Sequence, residues 1–184
     1  MTRKFLALAA ATVIVGVFAS LGSSVLAANP GPRALITQPI DNRQTVTLYG
    51  NTRPEVTAKH DRGRVADDFL LNHMLLQLKR APDVESAFEA YIDSLTDKTS
   101  PNFRHWITAA EQGEEFGVAQ QDIDAVTGWL RSQGFAVGHV YPNRMVIDFS
   151  GTAGQIRNAF HTEIHGLLVG DKQHIANMSD PQIP

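Results

Sequence analysis

The 184-residue sequence contains no cysteine. Disulfides, thiolate nucleophiles and cysteine-based zinc or iron–sulfur centres are therefore excluded. Export is not excluded, but an exported form must hold together by packing alone. Charge of one sign is scarce too. The net charge of −3 gives no electrostatic ground for a nucleic-acid partner. Neither G-x-G-x-x-G nor G-x-x-x-x-G-K-[ST] occurs, so the two phosphate-cradling loops are missing. Ser150 in SGTAG follows Phe149 rather than glycine, which breaks the G-x-S-x-G nucleophile elbow. There is no internal repeat and no low-complexity tract. What remains is an ordinary globular composition, 43% hydrophobic, with room for one domain and its core.

The N-terminus proposes export. Arg3 and Lys4 precede an apolar run from Phe5 to about Phe18, followed by SSVLAA. This is a secretory signal layout over residues 1–27, with cleavage after Ala27 or Ala28. The alternative is an uncleaved anchor, for which the run is short of the about 20 residues of a span. No membrane attachment is expected after cleavage. Residues 28–44, rich in proline and polar side chains, read as an extended leader.

A domain is expected over 45–184. A short strand falls around Thr45–Tyr49, HDRGRVADD reads as a polar loop, and a strand covers about Met74–Lys79. Pro82, Asp83 and Glu85 suit a first helical turn. Val84, Phe88, Tyr91, Ile92 and Leu95 form one helical stripe, read as a core face. Thr108–Glu111 has capping-box form and opens a short helix over about Ala109–Phe116. A longer helix begins near Gln120 and stops before Gly134. Two strands joined at Tyr-Pro-Asn follow, then a capped helix from Thr152 and a strand from Glu163 to Val169 that turns back into Gln173–Asn177. The fold class is α+β: a split β-α-β, ferredoxin-like antiparallel sheet with helices on one face. That architecture serves many functions, so function must come from elsewhere.

The segment FHTEIHGLLVGDKQHIAN places His161 and His165 four apart around Glu163. H-E-x-x-H needs the glutamate directly after the first histidine, and Thr162 stands there. The preceding helix should end near Phe160–His161. On a strand, positions four apart are separated by about 13 Å, too far for two ligands at about 2.1 Å from one zinc ion. His174, on the return strand, could face one of the two. The favoured reading is solvated or interface histidines at a sheet edge, with no metal site. Asp67-Asp68 and Glu114-Glu115 read as solvated faces. Asn177-Met178-Ser179 fits the glycosylation sequon.

An ordered set of stretches resembles a known family: LYGNTRPEV (48–56), MLLQLKR (74–80), SPNFRHWIT (100–108), DIDAVTGWLRSQGF (122–135), IDFSGTAGQIRNAFHTEIH (147–165) and HIANMSDPQIP (174–184). In this order and spacing they are similar to the activation prodomain of the sedolisin, or kumamolisin-type, serine-carboxyl peptidases. The resemblance implies a subtilisin-propeptide-like fold. It also implies a domain that assists folding of the peptidase and inhibits it until acid-triggered proteolytic removal. The family's serine, glutamate and aspartate and its calcium loop belong to a catalytic domain expected beyond Pro184. No catalytic, cofactor or metal residue is therefore assigned to this chain, and calcium is expected only in that catalytic domain.

The expected partner is a cognate sedolisin-type catalytic domain, in cis or in trans. Phe103, Arg104, His105 and Trp106 are the candidate contact residues, since aromatic and arginine side chains anchor interfaces. Plain packing of Trp106 on the first helix is the alternative. Among the seven histidines, any buried neutral in such an interface would charge in acid and weaken it. Two other functions remain open: a stand-alone secreted inhibitor or chaperone, and an extracytoplasmic binding module without a peptidase partner. A zinc-dependent hydrolase using the histidine segment is a third.

Overall fold

The computed structural model describes residues 29–184; the expected signal segment, with Ala27 and Ala28, lies outside them. The strands are β1 Val46–Thr47, β2 Asp61–Arg64, β3 Leu70–Gln77, β4 Ala136–Val140, β5 Val146–Thr152, β6 Ile164–Val169, β7 Lys172–Asn177 and β8 Gln182–Ile183. The helices are α1 Pro82–Ser94, α2 Ala109–Phe116, α3 Gln120–Ser132 and α4 Ala153–Phe160. The fold is α+β with antiparallel sheets, consistent with the expected ferredoxin-like class.

Local chemistry sets the boundaries. Pro82 opens α1, where its missing N–H costs nothing. Both expected capping boxes form: Thr108 with Glu111 on α2, and Thr152 with Gln155 on α4. Helix α4 stops at His161, whose φ of 53° is left-handed. The chain thereby leaves the helix before His165, as the segment's β-branched run demands.

The central sheet has the order β3-β5-β4. Ile147 and Phe149 point from β5 into a core shared with Leu130 of α3 and Ile156 and Phe160 of α4. Phe135 and Phe149 meet edge to face at 5.3 Å between ring centres, a favoured aromatic geometry. A smaller cluster joins Ala81 and Val84 to Phe116. Ile92, expected on the core stripe of α1, is instead exposed.

Two strand boundaries differ from expectation. The expected loop HDRGRVADD contains β2, an edge strand paired with β6; its polar sequence shows no alternation to mark it. β3 starts at Leu70, four residues early, and carries a bulge between Leu71 and Met74. A bulge shifts the side-chain alternation by one residue, which hid the first half of the strand. In a continuous split β-α-β sheet the last strand would lie beside the first. Here β6 pairs with β2 and β7, giving a second sheet of order β2-β6-β7.

The leader is extended and fastened to α3. The buried Asp122 carboxylate accepts the backbone N–H groups of Leu35 and Ile36 at 2.8 and 2.9 Å. Trp129 Nε1 donates to Asn42 Oδ1 at 2.7 Å. At the far end, Asp180 accepts from Gly50 N, Asn51 N and Thr52 Oγ1. Hence LYGNT and SDPQIP, distant in sequence, form one structural unit with the β1–β8 ribbon.

Candidate functional site

The four expected contact residues sit on the connection between α1 and α2. Its base is fixed by hydrogen bonds. Arg104 N–H donates to Leu95 O at 3.0 Å, Asn102 Nδ2 to Ser94 Oγ at 3.0 Å, and Tyr91 Oη to His105 O. Arg104 itself takes φ of 59°, which turns the chain sharply outward. Its guanidinium lies 5.0 Å from the centre of the Phe103 ring, within cation–π range. Phe103 is half-buried, whereas Arg104 and His105 are exposed. Trp106 is 71% exposed and does not pack on α1; Ile107 goes inward instead, beside Phe116 and Val84. The loop thus presents an indole, an imidazole and a guanidinium on an anchored backbone.

The histidine segment is dispersed. His165 lies on β6 with Nδ1 2.8 Å from Asp61 Oδ1 and Nε2 3.4 Å from Glu163 Oε2. Burial pulls its pKa down, but the two carboxylates outweigh burial and leave it raised. His174 stands opposite Leu167, and Ala176 is the partner of His165, so these two histidines are diagonal neighbours and not a directly opposed pair. Among the described residues no group of three His, Asp or Glu side chains converges to hold a metal ion. Asp67 is more than a solvated carboxylate. Arg157 and Arg64 both bond to it and hold its pKa well below the usual range.

One cluster was not legible in the sequence. Asp148 lies on β5, and its side chain is only 8% exposed. Its Oδ2 is 3.0 Å from His73 Nδ1 on β3 and 4.0 Å from His139 Nδ1 on β4. Bulges on both neighbouring strands bring the histidines in. His73 adopts φ of 55°, and its N–H donates to Ser150 Oγ at 3.2 Å. Ser150 Oγ is thereby an acceptor for the backbone of the β3 bulge. Alternation alone assigns Asp148 to a polar face and gives no sign of burial.

No helix among the described residues is long and apolar enough to cross a membrane. The described residues form an α+β domain with an anchored aromatic loop. The chain belongs to the family described as Pro-kumamolisin, activation domain, whose model matches residues 60–184. Xanthomonalisin from Xanthomonas sp. (strain T-22) is 33% identical over 146 residues, covering 78% of this chain and 17% of that protein. Sedolisin from Pseudomonas sp. (strain 101) is 26% identical over 112 residues, covering 61% of this chain and 19% of that protein. The chain therefore spans less than a fifth of the length of these relatives. An activation domain is a propeptide and not the catalytic part of its precursor.

Proposed function

We infer that this domain is the exported propeptide of a sedolisin-type serine-carboxyl peptidase, assisting the folding of the catalytic domain and inhibiting it until acid-triggered removal. The observation that carries the reading is the family match to an activation domain over 60–184, with relatives of which this chain covers less than a fifth. The expected signal segment before Asn29 agrees with export.

The catalytic domain would supply the serine, glutamate and aspartate, together with any calcium. This chain would supply surface. A stable preformed complex buries about 1,200–2,000 Å² in all, centred on a few aromatic or arginine anchors. The Phe103–Trp106 loop suits that role: Trp106 is held out by a hydrogen-bonded base, so little ordering entropy remains to be lost on binding. His105 lies beside it on the same exposed loop.

The test is refolding. Urea-denatured mature xanthomonalisin is diluted to neutral pH with and without this chain. A several-fold higher yield of active enzyme after acidification is expected with the chain present. Equal yields would refute the folding role.

A further inference from the structure

A groove of about 620 Å³ lies between the two three-stranded sheets. Consecutive residues of β3 line it, from Met74 to Gln77, and so do Ile175, Ala176 and Asn177 of β7. Successive side chains of a strand point to opposite faces. A groove touched by both sets lies against strand edges, not faces. Among the described residues each of these strands has one partner only, β5 for β3 and β6 for β7. Phe149, Ile156, Phe160 and Ile164 lie beneath, and none of the lining residues is charged.

The two outer edges of the sheets are protected as solvent-facing edges usually are. β2 carries Asp61, Arg62 and Arg64 around Gly63. β4 is broken by a bulge at Val137–His139. The groove-facing edges lack such devices. β3 from Met74 to Gln77 has no charge, no proline and no bulge. On β7 the one charged residue is Lys172, at the end away from the lining residues. Leu75 and Ile175 are 59% and 42% exposed at this groove.

We propose that this groove is a strand-addition site, filled by an uncharged, extended segment of about six residues from the peptidase catalytic domain. This rests on the propeptide reading above. Six extended residues span about 20 Å, the length of β7. Main-chain hydrogen bonds to the free edge of β3 give affinity, and apolar side chains at alternate positions fill the floor. A charged occupant would be buried without a partner, so the uncharged lining selects a neutral segment. Binding there would join the two sheets.

Amide hydrogen exchange of the full chain, alone and with excess mature xanthomonalisin at neutral pH, tests this alongside inhibition constants for Leu75→Lys, Ile175→Lys and a surface control, Leu35→Lys. The expected result is slowed exchange along β3 and β7 in the complex, tenfold or weaker inhibition by the two groove variants, and an unchanged control. Equal inhibition by all variants, with both edges still exchanging freely, overturns the groove site and leaves the propeptide reading standing. Absence of inhibition by the unaltered chain overturns that reading and this inference with it. Protection that appears in the chain alone and grows with its concentration, with dimers in sedimentation, makes a second copy the occupant and overturns the assignment to the peptidase.

Discussion

His165 Nδ1 and Asp61 Oδ1 stand 2.8 Å apart and tie β6 to the edge strand β2. The histidine's pKa is raised: burial opposes its charge, and the carboxylates of Asp61 and Glu163 more than restore it. Asp61 is lowered, first by the Gly63 N–H and then by His165. A raised histidine adds stability that is complete below its unfolded value, about 6.5, and is lost as pH rises through the folded value. A lowered aspartate adds stability above its unfolded value, about 3.9, and loses it as pH falls through the folded one. The bridge is therefore fully formed between about pH 4 and 6.5. Urea unfolding should show His165→Gln losing more stability at pH 5.5 than at pH 8.5. An equal loss at both would contradict the bridge.

It follows that mild acid strengthens this contact. Acid release, on the reading above, comes from the interface with the peptidase and not from unfolding of the β2–β6 edge. Circular dichroism at pH 5.5 should show the isolated domain still folded.

Trp106 separates binding from stability. It is exposed and makes no core contact, so Trp106→Ala should change unfolding free energy by no more than about 0.5 kcal/mol. As a central aromatic anchor its loss should cost about 2 kcal/mol of binding, roughly thirtyfold in the inhibition constant. A variant that inhibits as well as the unaltered chain would remove the loop from the interface.

Gly151 is required by packing. A Cβ there would stand 2.4 Å from Phe135 Cδ1 and 2.7 Å from Gln155 Oε1. Gln155 closes the α4 capping box and also donates to Gly134 O at 2.7 Å. Gly151→Ala should thus destabilise by about 1–3 kcal/mol, measured as a lower urea midpoint with unchanged slope.

Asp180 should act as the clasp of the C-terminal segment. In Asp180→Ala, amides of Gly50, Asn51 and Leu48 should exchange faster while those of β5 stay protected, because Asp180 holds the 50–52 turn and Leu48 N–H donates to Pro181 O at 2.8 Å. Uniform acceleration throughout the domain would mean that the clasp is not local.

Much of this was legible because caps and turns are local. Thr108, Thr152, Pro82 and Gly134 mark element ends through chemistry confined to a few residues. The period of Ile147 and Phe149 gave the core face of β5. Long-range consequences were hidden. The bulge at Asn72–His73 shifts the register of β3. The polar β2 owes its strand conformation to β6, and Ile92 faces solvent because α1 packs through Val84 against Phe116 of α2. The candidate loop was found from residue types in SPNFRHWIT, and its exposure from the structure. The Asp148 cluster and the groove between β3 and β7 depend on sheet order, which no local pattern encodes.

The central claim is that this domain grips a sedolisin-type catalytic domain. The most direct measurement is the inhibition constant of the chain against mature xanthomonalisin, followed from neutral pH to pH 4. Tight inhibition near neutrality that weakens at least tenfold in acid is the expected result. A lack of inhibition across the range would contradict the claim, and an inhibition constant flat with pH would contradict its acid release.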